Sequence, residues 1–237
     1  MAQALVHLTH GKREYLNKVA SLNGRVFDTD PVVTYMLLDM SQEERLTYLP
    51  TYWSTLVRSA LMNDALITEA DGWKAASVII PRGKPSITFG PYCMRVSCVF
   101  YGESVSLVSR WRLWSEVSGM TDNAKRKGLH GQKEYYYIFS IGTEHEHRGK
   151  GLARQIIQYH QKIARAENLP IWLEATSPSS RHLYLSVGFQ EVEEIVLGKG
   201  QVNEDATVQS GGVGVPLLGN GVVARVIGMW RLEQVKR

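Results

Sequence analysis

The chain has 237 residues, of which 44% are hydrophobic and 21% are charged, a composition typical of a folded globular protein. Its net charge is +4, but Lys and Arg are scattered, so no basic tract indicates nucleic-acid binding. No apolar run approaches the roughly 18 residues needed to cross a bilayer, so we expect no membrane association, and the N-terminus lacks the apolar core of a secretory signal. The two cysteines, Cys93 and Cys98, favour neither a disulfide framework nor a zinc site, and we expect reduced thiols in a cytoplasmic protein.

The N-terminal part of the chain is predicted to form a short strand followed by helices. The strand is expected over residues 4–8 and the first helix over about 12–27. Ser41 and Glu44 have the spacing of a capping box, which predicts the start of another helix. Pro50 is expected to kink or restart that helix, leaving a second segment that runs to about Met62.

A hairpin and a less regular region follow. Asp71-Gly72 separates two strand-like runs, residues 65–70 and 73–80, and this dipeptide is a strong hairpin signal. Residues 81–102 are rich in Gly and Pro, and we assign them neither structure nor role. A helix is then expected over 104–118, and the polar stretch 121–133 is predicted to be a mobile loop.

The second half of the chain alternates between strand and helix signals. This pattern predicts an α/β (α+β) protein with a mixed sheet covered by helices. The final strand is expected to pair antiparallel with the strand at 189–196, across a long loop at 198–221 of unassigned role. The predicted elements are a strand at 135–143, a helix at 151–167, a strand at 170–176, a helix at 179–187, and strands at 189–196 and 222–232.

A glycine-containing loop between the strand at 135–143 and the following helix indicates a phosphate ligand. It runs from Arg148 to Ala153, and it presents unpaired amides and the positive end of a helix dipole. It is not a Walker A loop, because Gly149-Lys150 is followed by Gly151 instead of Ser or Thr. It is not a Rossmann fingerprint either, because Arg154 occupies the place of the third glycine.

The remaining pattern, Arg-x-x-Gly-x-Ala after a strand, resembles the acetyl-CoA loop of the GCN5-related N-acetyltransferase (GNAT) superfamily. Three further features agree in order and spacing: a parallel strand over 171–176, Tyr184 on a short helix, and Gly188-Phe189 before the next strand. The resemblance is strong over residues 135–196. The arrangement, including the turn at 27–31, is similar to puromycin N-acetyltransferase-like small-molecule acetyltransferases.

This resemblance implies a GNAT acyl-CoA N-acyltransferase fold, in which a mixed twisted central sheet carries helices on both faces. Residues 1–237 would form one domain, with a variable acceptor-side half at 1–130, an acetyl-CoA-binding core at 131–197, and a long loop and final strand at 198–237. Two parallel strands would splay apart to admit the co-substrate. The implied cofactor-binding residues are Ile141, Gly142, Thr143, Arg148, Gly149, Lys150, Gly151, Leu152, Ala153 and Ser180, the last replacing an Asn frequent in relatives.

The resemblance also implies the catalytic residues. Tyr184 matches the tyrosine near the sulfur and would donate a hydrogen bond to the leaving thiolate, although packing its helix on the sheet is the alternative. Glu174 is a candidate general base or amine-orienting group, with a carboxylate at the sheet end as the alternative. One or two of the tyrosines at 135–137 would line the acceptor pocket. His145 and His147 lack a ligand cluster, so we expect no metal.

The predicted function is therefore an acetyl-CoA-dependent N-acetyltransferase that acts on a primary amine by direct attack through a tetrahedral intermediate. The absence of a charged recognition tract favours a small-molecule amine, and Asp28, Asp30 and Asp39 are candidates for attracting its ammonium group. We expect a monomer or homodimer. Two alternatives stay open: a non-catalytic acyl-CoA-binding sensor or scaffold, and an acetyltransferase directed at protein lysines or N-termini.

Overall fold

The computed structural model describes residues 6–84, 118–198, 202–203 and 222–226. The strands are β1 (Leu8–Gly11), β2 (Leu66–Ala70), β3 (Ala75–Ile80), β4 (Tyr136–Thr143), β5 (Ile171–Trp172), β6 (Glu193–Leu197) and β7 (Val222–Val226). The helices are α1 (Leu16–Val26), α2 (Pro31–Met36), α3 (Gln42–Met62), α4 (Ser118–Leu129), α5 (Leu152–Ala166) and α6 (Pro178–Ser186). Short 3-10 turns at Arg13–Tyr15 and His145–His147 precede α1 and the glycine loop.

The central sheet is mixed, as predicted. Its strand order is β1-β2-β3-β4-β5, and every neighbouring pair is antiparallel except β4 and β5, which run parallel. A separate two-stranded sheet pairs β6 antiparallel with β7, with Leu197 opposite Val222. The predicted pairing of the final strand is therefore confirmed, and the fold class is the expected α/β arrangement.

Strand β3 shows why helices cover both faces of the sheet. Its residues alternate between the two faces, as the two-residue period of a strand requires. Ala76, Val78 and Ile80 pack in one cluster with residues of α1 and α3, whereas Ile79 packs on the other face with α5. The intervening Ser77 lies 2.8 Å from Nε2 of buried His160 on α5. Burial lowers the pKa of His160 to about 3, so this histidine is neutral at physiological pH.

The predicted capping box is confirmed, but the restart at Pro50 is wrong. The Glu44 amide lies 3.3 Å from Ser41 Oγ, and Glu44 Oε2 accepts from the Ser41 amide at 2.8 Å. Helix α3 then continues through Pro50 to Met62. A Cβ on Gly24 of α1 would lie only 3.3 Å from the Pro50 nitrogen, so α1 packs closely against the proline turn. Tertiary packing of α3 on α1 therefore outweighs the local preference of proline to end a helix.

The predicted hairpin is confirmed, with a longer turn than expected. Ala70 pairs with Ala75, so the turn comprises residues 71–74 and Trp73 belongs to it. The Trp73 amide donates to Glu69 Oε2 at 2.7 Å, which fixes the turn. The first strand is displaced from its predicted position, since β1 covers Leu8–Gly11 and pairs with β2.

The expectation of a mobile loop over 121–133 is wrong, because α4 covers most of it. Ala124 and Leu129 are buried in a cluster with Trp172. Gly128 touches the same ring so closely that a Cβ there would lie 2.6 Å from Trp172 Cζ3. The polar composition of this stretch predicted a solvent-exposed loop, whereas contact with Trp172 stabilises a helix. Nearly all of the predicted helix at 104–118, and most of the stretches 81–102 and 198–221, lie outside the described residues.

Candidate active site

The parallel strands β4 and β5 pair over two residues and then separate. Tyr136 pairs with Ile171 and Tyr137 with Trp172, and no further pairing occurs between these strands within the described ranges. On the opposite edge of β4, Val78 pairs with Ser140 but Ile79 pairs with Ile138, so Phe139 is an extra, bulged residue. Such bulges bend a strand. A cavity of about 650 Å³ opens where the two strands diverge.

One end of this cavity is formed by the glycine loop. Gly149 and Gly151 both have a positive φ, of 76° and 80°, and Gly151 is the N-cap of α5 without any side-chain cap. A Cβ on Gly149 would meet nothing within 4 Å, so the space beside the loop is open. An uncapped helix N-terminus beside open space is suited to a phosphate group, because its amides and dipole favour negative charge.

Most of the residues predicted to bind the cofactor line the cavity. Lys150 is the exception, since it is exposed and its Nζ lies 3.2 Å from His147 Nδ1. His147 lines the cavity as well, and so does Arg154, which was not predicted although it follows the loop directly in sequence. The predicted residues in the lining are Ile141, Gly142, Thr143, Arg148, Gly149, Gly151, Leu152, Ala153, Glu174, Ser180 and Tyr184.

Two of these side chains are engaged in structural contacts. The Arg148 guanidinium donates to the Val26 carbonyl at 3.2 Å and to the Thr143 carbonyl at 3.3 Å, so it braces the loop against α1 and β4. The Ser180 hydroxyl donates to the Ser177 carbonyl at 2.9 Å and forms part of the capping box of α6. The phosphate-binding capacity at these positions therefore comes chiefly from the backbone and from the positive charge of Arg148.

Glu174 lies at the opposite end of the cavity and is held by three groups. Tyr137 donates to its Oε2 and Trp172 Nε1 to its Oε1, each at 2.8 Å. Lys125 Nζ lies 3.8 Å from Oε1. Burial, together with the negative charge of Glu174, raises the pKa of Tyr137 well above its ordinary value. Of the three consecutive tyrosines, Tyr137 is the one in the described cavity lining.

Asp30 is the acidic candidate that reaches the cavity. It caps α2, since its Oδ1 accepts from the amides of Val32 and Val33 at 3.0 Å each, and its Oδ2 accepts from the Thr176 hydroxyl. Burial raises the pKa of Asp30, although these hydrogen bonds oppose the increase. Asp28 instead faces His145, whose Nε2 lies 3.5 Å away. Asp39 is exposed.

Tyr184 is buried, with 5% of its surface exposed, and it lies in the wall of the cavity. Burial raises its pKa, and the nearby negative charges of Asp30 and Glu174 raise it further. The phenol is therefore protonated at neutral pH. Within the part of the chain that the structure describes, its hydroxyl has no hydrogen-bond partner, which leaves the proton free to be donated into the cavity.

The described residues contain no group of three or more His, Cys, Asp and Glu side chains that could hold a metal ion. In the same ranges, no helix is long and apolar enough to cross a membrane.

Comparisons with known proteins agree with the fold and the loop. The family model for the acetyltransferase (GNAT) family matches residues 104–189. An uncharacterized N-acetyltransferase of Schizosaccharomyces pombe is 24% identical over 190 residues, which cover 78% of this chain and 74% of the relative. The Drosophila melanogaster polyamine N-acetyltransferase, described as forming N-acetylagmatine, has a TM-score of 0.60 at 12% identity and covers 96% of this chain and 100% of its own. The mosquito arylalkylamine N-acetyltransferase-like 5b has a TM-score of 0.59 at 13% identity, with the same coverage.

At these low identities the solved structures establish the fold alone, which this chain shares with the two amine acetyltransferases. The family model over residues 104–189 and the fission yeast relative support membership of the GNAT superfamily.

Proposed function

We propose that this protein transfers the acetyl group of acetyl-CoA to the primary amine of a small molecule. The observation that carries the proposal is one cavity lined by both positively and negatively charged side chains. The amides of the glycine loop, Arg148 and Arg154 line it together with the carboxylates Asp30 and Glu174 and the phenol of Tyr184. An anionic carrier and a cationic acceptor could therefore occupy the same cavity.

The residues at the loop end suit acetyl-CoA, which would supply the acetyl group as a thioester. The uncapped N-terminus of α5 and the open space beside Gly149 would hold the diphosphate. Ile141 and Gly142 lie on β4 beyond its last pairing with β5, so their backbone groups on that edge are available to an extended pantetheine arm. Backbone amides there would also stabilise the oxyanion that develops during acyl transfer.

Asp30 supports acetyl transfer as the proton acceptor. An amine attacks only in its neutral form, so an ammonium group must first lose a proton. Burial raises the pKa of Asp30, which makes this carboxylate a stronger base than an exposed one. Its contacts with Val32, Val33 and Thr176 hold both oxygens in place.

Tyr184 supports the departure of the thiolate. As the carbon–nitrogen bond forms and the carbon–sulfur bond breaks, negative charge collects on sulfur. The protonated phenol would donate a hydrogen bond to this atom. Because its pKa lies above the ordinary tyrosine value, complete proton transfer to a thiolate is uphill, so donation of a hydrogen bond is the main role.

Two fold neighbours are named for amine substrates, which is consistent with a small amine here. One is an arylalkylamine N-acetyltransferase-like protein, and the other is a polyamine N-acetyltransferase that forms N-acetylagmatine. The test is thiol release from acetyl-CoA in the presence of a panel of amines, with mass spectrometry of the products. We expect release that depends on the amine and one acetylated amine for each thiol. Binding of CoA in calorimetry without thiol release for any amine would instead support a non-catalytic acyl-CoA-binding module.

The Gly149→Ala substitution is expected to weaken CoA binding by about tenfold or more, which corresponds to at least about 1.4 kcal/mol. The new methyl group would occupy the open space proposed for the diphosphate, at a backbone φ of 76° that favours glycine. The measurement is CoA titration by calorimetry.

Gly131→Ala is the matched control for this variant. Gly131 also has a positive φ, of 83°, and open space around its position, but it is not part of the cavity lining. Both variants should lose roughly 1–2 kcal/mol of stability through backbone strain. Equal CoA affinities for the two variants would contradict the assignment of the diphosphate to the Gly149 loop.

A further inference from the structure

The acceptor end of the cavity, defined here as the part lined by α2, α3, α4 and the β4 bulge, contains a buried lysine. Lys125 on α4 is 7% exposed, and its Nζ lies 3.8 Å from Glu174 Oε1 and 4.4 Å from the centre of the Tyr137 ring. The ammonium group thus offsets the buried charge of Glu174 and interacts favourably with an aromatic face. Glu174 also accepts hydrogen bonds from Tyr137 and Trp172. Because Lys125 balances its charge, Glu174 attracts a ligand cation less than a carboxylate without a cationic partner would.

The remaining carboxylates at this end differ in their surroundings. Asp122 is 39% exposed, and its Oδ1 lies 3.7 Å from Lys125 Nζ, so water and the lysine both screen its charge. Asp30 is held by two amides and a hydroxyl, and it has no cationic partner among the described residues. Among the described residues of the acceptor end, Asp30 is therefore the carboxylate that is available to a ligand ammonium group. Lys125 contributes a positive charge to the same end.

An aromatic wall forms another part of the acceptor end. The Trp53 ring on α3 lies 4.8 Å from Phe27, 5.7 Å from Tyr52 and 6.1 Å from Phe139, measured between ring centres. All of these side chains are in the cavity lining, and they come from three separate elements. A wall of this kind stabilises a flat apolar body through area burial and ring contacts. Trp53 Nε1 is buried in it without a hydrogen-bond partner among the described residues, so the wall holds one unused donor beside its apolar surface.

Resting on the proposed function, we infer that the acceptor is a monoamine with its single ammonium group on an aromatic or other apolar body, and that Lys125 selects against a second cation. Asp30 binds the ammonium group, and the ring wall around Trp53 binds the body. A diamine or polyamine would have to bury its second charge in the apolar ring wall or place it beside Glu174 and Asp122, whose charges Lys125 already balances. Neither position offers the second charge an unpaired carboxylate, so its desolvation is not compensated, and Lys125 thereby acts as a source of specificity.

The first test compares 2-phenylethylamine with 1,4-diaminobutane. We expect kcat/KM to be at least about tenfold higher for the aromatic monoamine, the scale of discrimination that one misplaced group produces. Calorimetric titration of both amines into the CoA-bound chain compares their affinities without turnover, and the monoamine should bind more tightly. A diamine that is used or bound as well as the monoamine, or better, would overturn the inference.

The second test substitutes Lys125→Met, which keeps the length of the side chain but removes its charge. We expect the ratio of kcat/KM for the diamine to that for the monoamine to rise about tenfold. Lys127→Met is the matched control, because Lys127 lies on the same helix but is exposed and pairs with Glu193 at 2.7 Å. The control should leave the ratio unchanged, and since a ratio is compared, any loss of folded protein cancels.

If Lys125→Met leaves the ratio of kcat/KM for the diamine to that for the monoamine unchanged, the selective role of the lysine is overturned.

The outcomes that contradict the two proposals are different. Thiol release with diamines as preferred acceptors would remove this inference and leave the acetyltransferase proposal intact. Absence of thiol release with every amine, despite CoA binding, would remove the acetyltransferase proposal and this inference with it.

Discussion

Replacing Tyr184 with Phe is expected to lower kcat by about 10²–10⁴-fold, the usual range for loss of a positioned proton or hydrogen-bond donor. The phenol lies in the cavity wall and has no hydrogen-bond partner among the described residues, so its removal should affect the reacting sulfur rather than the packing. The measurement is steady-state thiol release at saturating acetyl-CoA and amine.

Two controls accompany the Tyr184→Phe variant. Its CoA affinity and its thermal stability should match those of the native chain, because the ring and its contact with Phe189 are retained. In the native chain, burial and the charges of Asp30 and Glu174 raise the pKa of Tyr184. Tyr184 should therefore stay protonated up to the ordinary tyrosine pKa, and its ionisation should not lower the activity below that pH. Full turnover by the variant would remove the assigned role of the hydroxyl.

The Asp30→Asn substitution is expected to lower kcat/KM by about 10²–10⁴-fold, because it removes the proposed proton acceptor. Asn caps a helix about as well as Asp, so α2 should stay intact. The native pH profile of kcat/KM should rise as Asp30 ionises, at a pH above the ordinary carboxyl range because burial raises the pKa of this group. The variant should lack this rise.

Glu174→Gln distinguishes the roles of Glu174 and Asp30. Tyr137 and Trp172 donate to Glu174, and Lys125 lies 3.8 Å from its Oε1, which suits a group that positions Tyr137. We expect a smaller loss of about tenfold and a retained pH-dependent rise. A larger loss for Glu174→Gln than for Asp30→Asn would transfer the role of base to Glu174.

The stability of the Asp30→Asn variant should also depend on pH, with a definite sign. The folded-state pKa of Asp30 is raised above the unfolded value, so between these two values the native state binds more protons than the unfolded state. The stability of the native chain therefore falls as pH rises through this window, and the full cost is present above the raised pKa. The difference in Tm, variant minus native, should increase with pH.

The residues near the glycine loop could be predicted from the sequence because their structure is local. Gly149 and Gly151 adopt left-handed backbone conformations within one turn, and α5 begins directly after them. The capping box at Ser41 and the hairpin at Asp71-Gly72 likewise depend on residues a few positions apart. The role predicted for Tyr184 rests on its spacing in sequence after this loop, which matches the GNAT pattern.

The acceptor end could not be predicted in the same way. Asp30 meets Thr176 across 146 residues, and Tyr137 meets Glu174 across 37. The bulge at Phe139 exists only relative to β3, and α4 is stabilised by contact with Trp172 in spite of its polar sequence.

By itself the sequence determined the mixed fold and the conformation of the glycine loop, because turns, caps and periodicity act between near neighbours. Only the tertiary structure decided which carboxylates line the cavity, which of them lies beside Lys125, and where the aromatic rings gather. Those properties depend on burial and on contacts between distant segments, which no local pattern encodes.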